Sequence, residues 1–197
     1  MPRIPFPSPE TMTPEQRQVY DAVVAGPRGV VVGPLRAALH NPELAERWQR
    51  LGECLRFNIT VPARLRELAI LVTARRWNSQ LEWLIHEEAA RKAGLAASVI
   101  AAIHSGEAPV FEDADEADVY EFARELQQRG QVAEPLYRRV ADKWQALGVV
   151  ELTALIGYYT MVSMTLNAHE IPLPEGREPP LVPLRDGLST MAPGRTL

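Results

Sequence analysis

Cysteine is almost missing from this chain of 197 residues, in which Cys54 is the single thiol. One thiol cannot form an internal disulfide, complete a cysteine-based metal cluster, or run a redox cycle that needs two thiols on one chain. A lone cysteine fits a reducing compartment, and we therefore expect a cytoplasmic protein. Because no base is visible near it in the sequence, we predict that Cys54 is a buried and inert thiol.

An excess of positive charge is also absent. The formal net charge is −4 and the isoelectric point is near 5.6, so the chain lacks the electrostatic footprint of a nucleic-acid-binding protein. The N-terminal stretch MPRIPFPSPE is interrupted by four prolines and has no continuous apolar run, which argues against a secretory signal. We predict neither a nucleic-acid partner nor export.

Motifs that bind common cofactors or activate nucleophiles are missing as well. The sequence has no G-x-S-x-G, no H-E-x-x-H, and no glycine pattern of a P-loop or dinucleotide site. His40, His104 and His169 stand alone without the spacing of metal ligands, so we predict structural roles for them. These absences argue against a serine hydrolase, a phosphate-binding protein and a zinc protease, and we expect no metal and no cofactor.

One long apolar segment runs from 149 to 166 and carries a single charged residue among its eighteen positions. It also contains threonines and a serine and lacks flanking basic anchors, so a buried central helix is favoured over a membrane span. We expect no membrane partner. A helix that is apolar nearly all round needs cover on every side, which favours a homo-oligomer.

Length and periodicity predict one all-α domain between two proline-rich ends. Residues 1–13 form an N-terminal arm, residues 14–170 form the helical domain, and residues 171–197 form a tail with six prolines and no periodicity. Thr13 before Pro14 and Asn41 before Pro42 are typical helix starts. Further helices are predicted near 62–76, 79–94, 99–105, 119–130, 136–144 and 149–166.

The stretch from 62 to 95 is predicted to form two helices that fold back on each other around Trp77 and Asn78. Glu67 lies about as far before this turn as His86 lies after it, so antiparallel packing brings the two side chains to a similar level. A carboxylate and an imidazole are then expected to meet between the helices.

Ser79, Glu82 and His86 share one face of the second helix, because they are separated by three, four and seven residues. The apolar stripe of that helix places Glu82 and His86 at its edge, where we expect them to be half-buried. An isolated E-x-x-x-H is more often a solvated surface pair. A half-buried pair instead keeps the imidazole titrating near neutral pH, as general acid–base chemistry requires.

The motifs in this stretch resemble those of the carboxymuconolactone decarboxylase family, which includes the AhpD-type alkylhydroperoxidases. The similar segments are R-E-L-A-I-L, E-W-x-x-H and A-x-K-A-G-L. The peroxidase branch has a glutamate twelve residues before a C-x-x-C and a histidine four residues after the second cysteine; these positions are Glu67, Ser79, Glu82 and His86 here. Both cysteines are thus replaced, whereas the decarboxylase branch has a glutamate four residues before the histidine, as this sequence does.

The resemblance implies an AhpD-like helical bundle with a central antiparallel helix pair. It also implies a cofactor-free lyase or isomerase of aromatic compound catabolism, acting on a small carboxylated lactone or a related β,γ-unsaturated acid. In this interpretation His86 exchanges a proton, Glu82 and Glu67 orient and tune it, and an arginine holds a carboxylate. The expected catalytic residues are His86, Glu82 and Glu67, and the expected substrate-binding residues are Arg75, Arg76, Ser79 and Trp83.

Alternatives remain open from the sequence. Arg75 and Arg76 end a helix, where cations suit the negative end of the dipole, and that alone can explain them. The protein can also be an AhpD-type alkylhydroperoxidase, or a non-catalytic small-molecule-binding oligomer of the same fold. The family resemblance predicts trimers or hexamers.

Overall fold

The computed structural model describes residues 2–182 and 188–196, and its architecture is helical. Short strands pair only at the edge of the bundle, and the predicted all-α class is confirmed. The elements in chain order are α1 (Pro14–Ala25), α2 (Pro34–Ala38), α3 (Pro42–Phe57), α4 (Ala63–Arg76), α5 (Gln80–Lys92), α6 (Ala97–Ser105), β1 (Val110–Phe111), α7 (Ala114–Arg129), α8 (Glu134–Ala168) and β2 (Arg195–Thr196).

The first long helices begin where their capping signals predict. Thr13 caps α1 by accepting a hydrogen bond from the backbone N–H of Gln16, whose side chain returns a bond to the Thr13 backbone. Asn41 caps α3 in the same way by accepting from the Leu44 backbone. A proline occupies the first turn of each helix, where the missing N–H costs nothing.

The helix at the centre of the bundle is α4, which packs against α5, α6, α7 and α8. Its Leu68, Leu71 and Val72 are completely buried. The apolar segment 149–166, predicted to be a buried helix rather than a membrane span, packs against α4 but is not covered on every side by this chain. That segment lies in α8 beside α4 and leaves Val150 66% exposed and Met164 50% exposed. The short α4 can be surrounded on all sides, which a 35-residue helix in a small bundle cannot.

Two helices predicted near 136–144 and 149–166 form the single element α8. The backbone of Gln145 departs from helical geometry inside it, with φ 59° and ψ −178°, so the two predicted helices join at this kink. The long apolar part passes a length-and-composition test for a membrane span, but half of that window is buried inside the bundle. The core helix of a globular bundle also passes this test, and a core helix is what the sequence predicted for this segment.

The C-terminal tail is held on its own chain by several hydrogen bonds. The Gln80 side chain bonds to both the N–H and the carbonyl of Leu181, and Arg76 donates to the carbonyl of Ser189 at 2.6 Å. Strand β2 then pairs in parallel with β1. Residues 183–187, inside the predicted tail, lie outside the described residues. The tail therefore connects the residues on either side of the α4–α5 turn to strand β1.

Candidate functional site

The turn between α4 and α5 determines which residues of these two antiparallel helices lie opposite each other. Trp77 ends α4, and Asn78 adopts a left-handed conformation with φ 49°, which asparagine tolerates better than most residues. Ser79 then forms the N-cap position of α5. As predicted, this antiparallel turn brings Glu67 and His86 together.

Three ionisable side chains meet between the two helices and form what we call the Glu67–His86–Glu82 triad. The Nδ1 of His86 lies 2.6 Å from Oε2 of Glu67, and its Nε2 lies 3.3 Å from Oε2 of Glu82. The first contact is a short, charge-assisted hydrogen bond donated by the imidazole. The second is a close charge contact in which Glu82 Oε2 lies off the direction of a hydrogen bond. The imidazole is thus fixed by a hydrogen bond at Nδ1, whereas its Nε2 has only the charge contact with Glu82.

The triad is more deeply buried than the sequence indicated. His86 is 2% exposed and Glu82 is 5% exposed, although both were expected to be half-buried. Helix α5 is rotated relative to its apolar stripe, so that Glu88 is exposed and pairs with Lys92 at the surface. Buried charges are tolerated when they pair with one another, and the triad provides that pairing between two helices.

Burial and charge act in opposite directions on the imidazole. Burial alone lowers the pKa of His86, but the charge and hydrogen bond of Glu67, together with Glu82, outweigh it and raise that pKa from 6.5 to about 9. The expected titration near neutral pH is therefore wrong. His86 is an imidazolium at neutral pH, which makes it a proton donor rather than a resting base.

A small cavity of about 50 Å³ lies against the triad and is lined by His86 and Glu82. The ring of Tyr159 packs edge-on against His86 with centroids 4.9 Å apart, and Tyr158 packs edge-on against Tyr159. Burial raises the pKa of both tyrosine hydroxyls, so both stay neutral phenols at physiological pH. Glu67 does not line the cavity and acts on it through His86.

Two arginines that the sequence analysis did not select also line this cavity. Arg28 comes from the loop after α1, and Arg56 comes from the last turn of α3. Arg28 Nη2 donates to the Tyr158 hydroxyl at 3.4 Å. A Cβ on Gly52 of α3 would overlap both Arg28 and the Tyr158 hydroxyl. A glycine inside a helix costs about 1 kcal/mol relative to alanine, so Gly52 was a signal in the sequence for this close approach.

The arginines predicted to bind substrate lie elsewhere. Arg75 donates to the carbonyl of His104 at 2.9 Å and to the side chain of Asn78 at 3.1 Å. Arg76 holds the tail through Ser189. Neither lines the cavity beside the triad. These hydrogen bonds give both arginines a structural role: Arg75 ties the α4–α5 turn to His104, and Arg76 ties α4 to the tail.

Ser79 and Trp83, the other predicted substrate contacts, are also absent from the cavity lining. Ser79 is fully buried and its hydroxyl has no hydrogen-bond partner in the described part of the chain. Trp83 is fully buried, donates its indole N–H to Glu87 at 2.9 Å, and packs edge-on against His104. Both residues lie at the start of α5 and are buried in the bundle outside the cavity lining.

The single thiol lies outside the triad. Cys54 is exposed on α3, which corrects the expectation of a buried side chain, and its surroundings are Gln49, Arg50, Glu53 and Asn58. No histidine lies among these neighbours to serve as a base. Within residues 2–182 and 188–196, no group of His, Cys, Asp or Glu side chains has the arrangement of a metal site.

Comparison with solved structures identifies the fold. An uncharacterized peroxidase-related protein from Silicibacter sp. TM1040 superposes with a TM-score of 0.70 at 14% identity, covering 87% of this chain and 91% of that one. The structure described as an alkylhydroperoxidase AhpD core, an uncharacterized peroxidase-related protein from Ralstonia eutropha JMP134, gives 0.69 at 14% identity, covering 88% and 93%.

These likenesses show that the chain has the AhpD-like fold, which confirms the predicted architecture. No family model matches the sequence, and no curated protein is similar to it at a significant level. The comparisons therefore do not assign the chain to the carboxymuconolactone decarboxylase branch.

Proposed function

We propose that this protein is a cofactor-free lyase or isomerase that transfers a proton from His86 to a small carboxylated lactone or a related β,γ-unsaturated acid. The observation that carries the proposal is the Glu67–His86–Glu82 triad, a protonated imidazole held between two carboxylates at the wall of a small cavity. A buried imidazolium that faces a cavity is suited to general acid catalysis.

The chemistry needs no metal. When a vinylogous acid loses CO₂, the electron pair of the breaking C–C bond passes into the conjugated system and forms a dienolate. A proton must then be added to carbon, and the Nε2–H of His86 supplies it. The imidazole afterwards regains a proton from solvent, because its raised pKa favours the charged form. In an isomerisation the carboxylate of Glu82, which lies beside Nε2, would remove the proton from carbon, because the imidazolium is already protonated, and Nε2–H would deliver a proton to the other carbon.

The triad members have different roles in this proposal. His86 and Glu82 line the cavity and are the candidate catalytic residues. Glu67 is a positioning residue, since it holds Nδ1 at 2.6 Å and thereby leaves Nε2, on the side of Glu82, as the nitrogen that can reach substrate. Glu82 lies beside that second nitrogen and favours the imidazolium before the proton leaves.

Arg28 and Arg56 replace Arg75 and Arg76 as the proposed carboxylate-binding residues. Both contribute to the lining of the cavity, and an arginine pairs with a carboxylate through two parallel hydrogen bonds. A guanidinium beside the departing carboxylate also stabilises substrate binding against repulsion by Glu82. Ser79 and Trp83 then have the structural role of packing the start of α5 into the bundle.

AhpD-type peroxidase activity is the second candidate, and the descriptions of the two structural neighbours favour it. A disulfide cycle needs two thiols on the enzyme or an outside resolving partner. The positions of those thiols hold Ser79 and Glu82 here, and Cys54 is remote in sequence from both. A non-catalytic binding protein of the same fold is the third candidate.

We also propose a soluble, cytoplasmic homo-oligomer, as a trimer or a hexamer. Its support is the apolar surface that the bundle leaves uncovered on α8, where Leu147 is 58% exposed and Val150 is 66% exposed. Exposed apolar patches of this kind mark association surfaces. The small molecule bound beside the triad would be the other partner of the protein.

Activity is tested in deuterated buffer with a panel of carboxylated lactones and β,γ-unsaturated acids. Proton NMR should detect loss of CO₂ or incorporation of deuterium at carbon with the wild-type protein. Glu82→Gln should slow this reaction, and Arg47→Gln, at an exposed ion pair on the surface of α3, should leave it unchanged. Turnover of cumene hydroperoxide without any reaction of the panel would overturn the proposal in favour of the peroxidase.

A further inference from the structure

A second, larger cavity lies beside the cavity of the triad. It has a volume of about 540 Å³ and is formed by the loop before α2, one side of α5 and the start of the tail. We call it the tail groove. Its lining is mostly apolar and includes Val31, Leu81, Ile85, Ile171 and Leu173. Volumes of this size are usual for small-molecule sites, which range over about 300–1,000 Å³.

The two cavities share a thin wall. Val32, Gly33 and Ile85 contribute to the lining of both. Gly33 adopts a positive φ of 55°, a conformation that favours glycine. Because glycine has no side chain, the wall at this point consists of backbone atoms only. The Val32 side chain is 47% exposed, so it can turn toward solvent without leaving a buried site. A modest movement of Val32 would therefore join the groove to the triad.

Size separates the roles of the two cavities. The cavity beside the triad, at about 50 Å³, has room for water molecules but not for a whole organic acid. The tail groove is large enough for the rest of an organic acid, but its lining is mainly apolar. Its charged neighbours are Arg36 and Glu175, and Arg36 is stacked over the ring of Phe6 at 4.0 Å.

We infer that the substrate is an amphipathic acid, whose carboxylate lies between Arg28 and Arg56 while an alkyl or aryl extension fills the tail groove. The inference rests on the proposed function and names its substrate class. Charge complementarity fixes the orientation, because the two arginines lie on the triad side and the apolar residues lie on the other. The carbon next to the carboxylate, where the bond is broken and the proton is added, then lies in the cavity that His86 lines.

Binding of saturated acids tests this assignment independently of catalysis. Calorimetric titration with acetate, butanoate, hexanoate and octanoate should give affinities that rise about threefold to fourfold per methylene buried. Leu173→Trp and Val31→Trp each fill the groove from a different side and should remove the gain for the longer acids. Val24→Trp adds the same ring to an exposed position of α1 and should preserve it.

Each outcome decides the inference. Equal affinity for all four acids, no binding at all, or a chain-length gain that survives both groove-filling variants would overturn it. The proposed function is decided separately by the deuterium assay. If octanoate binds as expected while no acid in the panel reacts, the groove assignment stands and the catalytic proposal fails. If short acids react and chain length has no effect on binding, the groove assignment fails and the catalytic proposal stands.

Discussion

Replacing Glu67 with glutamine should change how the stability of this protein depends on pH. A pKa of 6.5 for an unfolded histidine and of about 9 for folded His86 corresponds to roughly 3 kcal/mol of stability. This contribution is fully present below pH 6.5, where both states bind the proton. It is lost as the pH rises from 6.5 through 9, because only the folded state keeps the proton over that window.

Glu67→Gln keeps the shape of the side chain but removes the largest influence that raises the pKa of His86. The variant should be less stable than wild type by about 3 kcal/mol at pH 6.5, since it breaks a buried ion pair. By pH 9 the two proteins should approach the same free energy of unfolding, because the wild type has then lost the contribution as well. The decline between these pH values should largely disappear in the variant.

Urea unfolding at pH 6.5, 7.5 and 9, at one protein concentration, measures these free energies. Glu88→Gln is the matched control, because Glu88 lies on α5 with His86 but pairs with Lys92 at the surface. It should follow the wild-type curve at every pH. A wild-type stability that stays flat over this range, or an equal decline in Glu67→Gln, would refute the description of His86 as a buried imidazolium.

Gly52→Ala should weaken carboxylate binding about tenfold or more by displacing Arg28 and the Tyr158 hydroxyl, whereas Gly157→Ala, in a helix with open space around it, should leave binding unchanged in the same titration. Cys54→Ser should not alter any turnover of cumene hydroperoxide in a coupled peroxidase assay, and a loss of turnover would show that the thiol is used. Light scattering at micromolar concentration should give a mass well above the 21.9 kDa of one chain, and a monomer mass would end the oligomer proposal.

Local signals in the sequence sufficed for part of this structure. The caps of α1 and α3 use side chains within three residues of the helix start, so they can be read without knowing the fold. The same holds for the turn at Asn78, whose left-handed backbone suits asparagine. From that turn alone, Glu67 and His86 were predicted to meet.

Other parts of the site depend on tertiary packing. An apolar stripe predicts which face of α5 is buried only if the core is apolar, and here Glu82 and His86 are buried because Glu67 from another helix pairs with the imidazole. Arg28 lies in an irregular loop with no periodic pattern, and it reaches the cavity only because α3 has a glycine opposite it. No spacing rule within one helix connects such residues.

The rate of deuterium incorporation in His86→Asn shows whether the proton passes through this imidazole. Asparagine is polar and smaller than histidine, so the fold should be retained, which circular dichroism checks on the same sample. With an acid that the wild type accepts, the variant should react on the order of 10²-fold more slowly, because the protonated imidazole that acts as general acid is removed from the cavity wall. An undiminished rate in His86→Asn would contradict the account, since proton transfer would then not pass through the Glu67–His86–Glu82 triad.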